Sequence, residues 1–168
     1  MKGVVILVVF LFLLISPIKA SEPYKGYRGY VDFSFGEAFN PSTARISTYN
    51  MQLFSEISST HGYRLKNWFV GGGIGYYHSF RDKENMYPIY VAGKYTIEDV
   101  RTKPYFETRA GIVYDPRWVS TVQAYGGLGA GMKLYKQIQI GLKLSIFSRP
   151  SRSFTANASI ALSYSFGK

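Results

Sequence analysis

The chain contains no cysteine, which excludes disulfide staples, thiolate metal sites and a cysteine nucleophile. Histidine occurs only at positions 61 and 78, too few to hold a metal without carboxylate help. Acidic residues are scarce, ten against twenty lysines and arginines, for a formal charge of +10. The basic residues are scattered singly, not gathered into a stripe, so nucleic acid is not an expected partner. No segment has a convincing helical period, and only one long apolar run exists. Aromatic side chains, by contrast, make up 17% of the 168 residues, which excludes a disordered chain. The length suits one domain and not two large ones.

The apolar run opens the chain. Lys2 supplies a positive start, Val4 to Ile15 is apolar throughout, and Ser16-Pro17-Ile18-Lys19-Ala20 interrupts it. These are the three parts of a secretory signal peptide. The run falls short of the roughly 20 residues that a spanning helix needs. Cleavage after Ala20 assigns 1–20 to the signal peptide and 21–168 to the mature domain. Lys2 and Lys19 leave with it, so eighteen basic residues face ten acidic ones, a net +8.

Alternation with period 2 runs through the rest, the signature of strands with two unlike faces. Phe154, Ala156, Ala158, Ile160, Leu162, Tyr164 and Phe166 alternate with small, mostly polar residues. Ile138, Ile140, Leu142, Leu144 and Ile146 repeat the pattern, as do stretches 121–135, 105–114 and 89–98. Trp68, Val70, Gly72, Ile74 and Tyr76 fit less clearly, because Gly71, Gly73 and Gly75 blur the faces. Segment 46–65 is weaker still, and 27–35 sets Val31, Phe33 and Phe35 against Arg28, Tyr30, Asp32 and Ser34. Turn signals such as Asn40-Pro41-Ser42, Lys66-Asn67 and Asp115-Pro116-Arg117 separate these eight segments. Short connections imply an antiparallel meander, and an even number of strands lets it close. The expected fold is all-β, an eight-stranded antiparallel up-and-down transmembrane β-barrel after a cleaved signal peptide.

Alternation alone leaves two closed barrels open. A soluble lipocalin-like carrier turns the apolar parity inward, and an outer-membrane barrel turns it outward. The polar parity is mostly Gly, Ser, Thr and Ala, without the dense charge of a wet surface. That suits a narrow lumen filled by side chains. Tyr27, Trp68, Phe106, Tyr164 and Phe166 fall near one set of strand ends. Tyr76, Tyr87, Tyr114, Trp118 and Phe154 fall near the other, as girdles at two membrane interfaces do. The run from Thr121 to Tyr135 exceeds the roughly 9–11 residues that a tilted spanning strand needs. The membrane barrel is therefore favoured.

Over essentially the whole mature chain the sequence resembles the small outer-membrane β-barrel proteins of Gram-negative bacteria, the OmpA/OmpX-like class. The pieces that carry the resemblance are Arg28-Gly29-Tyr30-Val31-Asp32, Ser59-Thr60-His61-Gly62-Tyr63, the glycine-rich Val70 to Tyr77, and Ser163-Tyr164-Ser165-Phe166. It implies that the last strand is read by the barrel-assembly machinery, with Tyr164 and Phe166 as the signal. It supplies no catalytic residues.

With the polar parity inward, Arg28, Asp32, Glu56, Lys94, Glu107, Arg109, Lys133 and Lys143 share the lumen. Isolated charges there would be costly, so they are expected to pair into a structural network that plugs the barrel. A hairpin centred between Val100 and Arg101 sets Lys94 opposite Glu107. No catalytic, cofactor-binding or metal-binding residue is assigned, and no cofactor is expected. His78-Ser79 is the place to look for lipid-modifying chemistry, although a loop or interface histidine is the plainer reading. Gly71-Gly72-Gly73-Ile74-Gly75 lacks the Lys-Ser/Thr of a phosphate loop.

Eight strands put both ends of the mature chain on the periplasmic side. Connections 36–45, 79–87, 115–120 and 148–153 then face outward, and 65–67, 99–104 and 135–137 face the periplasm. The expected function is structural or loop-mediated: an integral outer-membrane protein with no open pore and no enzymatic activity. Its expected partners are outer-membrane lipid, the assembly machinery and an extracellular ligand reached through the outward loops. The alternatives are an outer-membrane lipid-modifying enzyme and a soluble periplasmic carrier of an apolar ligand.

Overall fold

A computed structural model describes residues 25–39, 52–98, 102–117, 122–148 and 154–167. Residues 1–20, where the sequence leads one to expect a signal peptide, lie outside the described residues, as do Trp118 and most of the connections expected to face outward. Eight strands follow in order: β1 Lys25–Phe39, β2 Gln52–Leu65, β3 Trp68–Ser79, β4 Asn85–Thr96, β5 Pro104–Tyr114, β6 Gln123–Lys133, β7 Ile138–Ser148 and β8 Phe154–Phe166. Each pairs antiparallel with its chain neighbours, and β1 pairs with β8 to close the barrel. Closure leaves no strand edge open to another chain or unsatisfied in lipid.

Several boundaries differ from the sequence reading. β1 runs on past Phe35 to Phe39, because Phe35, Glu37 and Ala38 keep pairing with Ser55, Leu53 and Gln52. β3 reaches Ser79 and β4 begins at Asn85, so the expected 79–87 connection shrinks to residues 80–84. Tyr77 and His78 pair with Met86 and Asn85, and this pairing overrides the turn-like composition there. Pro88 has no N–H to give, and the ladder between β3 and β4 skips it. β6 is shorter than the Thr121–Tyr135 run: Leu134 and Tyr135 already donate their amides to Ile138 O in the turn.

The apolar parity faces outward. Leu142 is 66% exposed, Val91 64% and Leu128 63%, and the exposed apolar row continues on every strand. So large an apolar wall is a lipid-facing surface. Tyr27, Tyr63, Trp68, Phe106 and Tyr164 ring the end that carries the short turns 66–67 and 134–137, with Trp68 packed on Tyr95. Tyr76, Tyr87 and Tyr114 pack side by side at the loop end. Short turns mark the periplasmic end of such barrels.

The interior is layered. Near the loop end Phe54 stacks on Tyr77, whose ring meets Phe147 edge-on, beside Met86 and Val113. Near the turn end Tyr30 packs edge-on against Phe69. A charged layer lies between.

Candidate functional site

The charged layer is built by side chains from the inward-facing rows of five strands. Glu107 and Arg109 belong to β5, Lys94 to β4, Asp32 to β1, Glu56 to β2 and Lys143 to β7. Lys94 sits directly opposite Glu107 across the hairpin, and Lys94 Nζ lies 3.0 Å from Glu107 Oε2. Arg109 is the hub. Its guanidinium donates to Glu107 Oε1 and Asp32 Oδ2 and lies 3.6 Å from Glu56 Oε1. It also donates to Ser58 Oγ at 3.2 Å. Lys143 Nζ completes the set at 3.1 Å from Asp32 Oδ2.

Three carboxyl groups thus face three cations, so the formal charges balance. Aromatic rings clamp it. Lys94 Nζ lies 3.9 Å from the centre of the Tyr30 ring and 4.4 Å from that of Tyr105, while Arg109 lies over Tyr90. Ring faces favour cations in a site this dry. Lys94 also donates to Gln139 Oε1 at 3.1 Å. Among Glu56, Glu107, Arg109, Tyr125, Lys143 and Ser145 only about 10 Å³ stays open, about enough for one water.

The structure brings six of the eight expected interior charges together. It does not bring Arg28 and Lys133 to them. Both have the inward parity, but they sit half-buried near the turn end, Arg28 opposite Gly62 and Lys133 opposite Gln139. Period 2 gives the face of a residue but not its depth, and these two lie a layer too low. A second ionic cluster gathers at that rim, where Glu98 takes Arg64 and Lys103, the latter at 2.8 Å. Burial opposes ionisation of Glu98, but the two cations outweigh it and hold its carboxyl below the usual glutamate range. At the loop end Arg117 joins Glu84 and Asp115 at 2.8 and 2.7 Å. Hydrogen bonds to Asp115 and Glu84 raise the affinity of the Arg117 guanidinium for its proton.

His78 and Ser79 point to opposite faces of β3. Ser79 is buried and donates to Gln52 Oε1 at 3.3 Å, while the His78 ring meets Asn85 Oδ1 on the outside at 2.8 Å. They cannot act on one lipid bond together. The other histidine is in different company. His61 faces outward on β2, with its Nε2 2.9 Å from Ser59 Oγ and its Nδ1 on the Tyr27 hydroxyl. Tyr164 donates to Gln137 Oε1 at 3.0 Å, and the Phe166 ring lies over Gly29 against His61. Among the described residues no cluster of three or more His, Asp and Glu side chains could hold a metal.

No family model matches the chain, and no curated protein matches it. Solved structures do resemble it. The outer membrane enzyme PagL aligns over 80% of this chain and 98% of its own, at 12% identity and a TM-score of 0.62. Neisserial surface protein A (NspA) aligns over 83% of this chain and 96% of its own, at 13% identity and a TM-score of 0.55. Identities this low bear on fold alone. Together with the outward apolar wall and its aromatic girdles, they make the chain an eight-stranded transmembrane β-barrel of the outer-membrane type.

Proposed function

We propose that this is an integral outer-membrane protein of the OmpA/OmpX-like kind, with a sealed barrel as scaffold and an interaction role in its outward loops. The observation that carries this reading is the charge-balanced six-residue ionic core, beside which a pocket of only about 10 Å³ stays open. An eight-stranded barrel closed in this way has no path for a hydrated solute. A soluble carrier is disfavoured by the same geometry, since its ligand cavity would have to be inside. The Arg117–Asp115–Glu84 cluster ties the connection after β5 to the connection between β3 and β4, so the outward end offers a braced surface.

The test is conductance. The refolded protein in a planar bilayer should give no steady unitary current. Replacing residues 80–84 with a glycine-serine link should leave the barrel folded and remove binding of whole cells or matrix to it. A stable open channel in the wild-type protein would overturn the sealed-scaffold reading.

A further inference from the structure

Ser59, His61 and Tyr27 form a hydrogen-bonded row on the wall that faces lipid, where the neighbouring outward positions are mostly aliphatic or aromatic. Polar and ionisable groups facing lipid are expensive and mark functional sites by default. The arrangement also has an order. Ser59 and His61 are two apart on β2, so both side chains leave the same face. The Ser59 hydroxyl donates to His61 Nε2 when Nδ1 carries the ring proton and gives it to Tyr27 Oη. A hydroxyl nucleophile, an imidazole base and a group that fixes the imidazole tautomer are thereby in line.

Two features around the row fit a lipid ester. The first is depth. Tyr63, Trp68 and Tyr27 make the girdle at the turn end, and His61 lies two residues further into the wall than Tyr63. Two residues on a strand tilted by roughly 45° amount to about 5 Å towards the bilayer centre. This is the boundary between headgroup and acyl chains, where the ester carbonyls of a glycerophospholipid sit. The second is relief. His61 pairs with Gly72 on one side, and a Cβ built at Gly72 would meet nothing closer than 3.8 Å. On the other side the Phe166 ring covers Gly29 and stands edge-on to His61 at 5.6 Å. The row thus borders a shallow trough with an aromatic bank, shaped for a chain lying against the wall.

We propose that Ser59, His61 and Tyr27 form an acyl-transfer site on the outer wall, acting on glycerophospholipid esters of the leaflet at the turn end. This goes beyond the scaffold reading and does not depend on it. Ser59 Oγ attacks the ester carbonyl as its proton passes to His61 Nε2. The tetrahedral adduct expels the glycerol oxygen, which takes that proton from His61, and the acyl group stays on Ser59. Water, giving a proton to His61, then attacks the acyl-serine, and collapse releases the fatty acid and returns the proton to Ser59. Tyr27 is a positioning residue: its hydroxyl holds Nδ1–H. A phenol supports the imidazolium less than a carboxylate would, so turnover is slow and trapping of the serine is the sensitive readout.

The experiment uses the refolded full-length barrel in mixed micelles, its fold checked by heat-dependent gel mobility. An alkyl fluorophosphonate is the covalent probe, with the adduct mapped by mass spectrometry. Release of fatty acid from phosphatidylethanolamine is followed in parallel. The expected result is an adduct on Ser59 and slow fatty-acid release, both lost in Ser59→Ala. His61→Gln should slow labelling by about 10²-fold or more. Tyr27→Phe should shift the pH profile of labelling, which a merely structural tyrosine would not. No adduct on a folded barrel, or fatty-acid release that survives Ser59→Ala, would overturn the proposal. An adduct without fatty-acid release would overturn the phospholipid-ester assignment.

Discussion

Lys94 Nζ lies 3.0 Å from Glu107 Oε2, and the two residues are direct partners across the β4–β5 hairpin. Both side chains are nearly inaccessible, at 2% and 5% exposure. A buried pair is weak evidence of net stabilisation, but removing Lys94 leaves Glu107 to Arg109 alone and the buried set one positive charge short. Lys94→Met should therefore lower stability by about 3–5 kcal/mol. Adding Glu107→Gln to Lys94→Met should recover most of that loss, since Arg109 keeps Asp32 and Glu56. Chemical unfolding of the single and double variants in vesicles checks this.

Adjacent residues on β7 should respond to opposite rules. Leu142 faces lipid at 66% exposure, and Lys143 reaches Asp32 in the lumen. Leu142→Arg should cost about 2–4 kcal/mol, the price of a cation near the bilayer midplane. Lys143→Leu should spare lipid contact and instead leave Arg109 as the remaining ion-pair partner of Asp32. If Leu142→Arg assembled as well as wild type, the assignment of faces would be wrong.

Two glycines on neighbouring strands separate close approach from mere smallness. A Cβ on Gly111 would meet Ile89 O at 2.1 Å, a backbone atom that cannot swing away. One on Gly126 would meet nothing within 4 Å. Gly111→Ala should reduce the folded fraction or force the β4–β5 ladder apart, while Gly126→Ala should fold normally. Heat-modifiable gel mobility of the two variants reads the difference.

The Glu98 cluster predicts an acid-sensitive rim. Its carboxyl is held below the ordinary glutamate range by Arg64 and Lys103. The folded form thus binds this proton less readily than the unfolded form. The stabilisation is fully present above the ordinary range and disappears as pH falls through the folded value beneath it. Unfolding measured across that window should show a dependence that Glu98→Gln removes. An unchanged slope in the variant would assign the acid response to other groups.

The sequence carried the fold well wherever one face was uniformly apolar. β7 and β8 read directly because Ile138 to Ile146 and Phe154 to Phe166 never break parity. β2 was obscure for the reason that makes it interesting: Ser55, Ser59 and His61 occupy outward positions that are mostly apolar on the other strands. The hairpin arithmetic found Lys94 and Glu107, since local register follows from a turn. It could not find the reach of Arg109 to Asp32 and Glu56, because that crosses the lumen and depends on how closure staggers β1 and β2 against β5. Nor could it separate Arg28 and Lys133 from the core, for depth along the axis is set by the same stagger.

The most direct measurement is a gel of outer membranes from a Gram-negative host expressing the full chain, with unheated beside boiled samples. A compact, faster-moving band that slows on boiling, found in the outer-membrane fraction, is the predicted result. A soluble periplasmic product with one mobility would contradict the account, because the exposed apolar wall would then have to be the inner face.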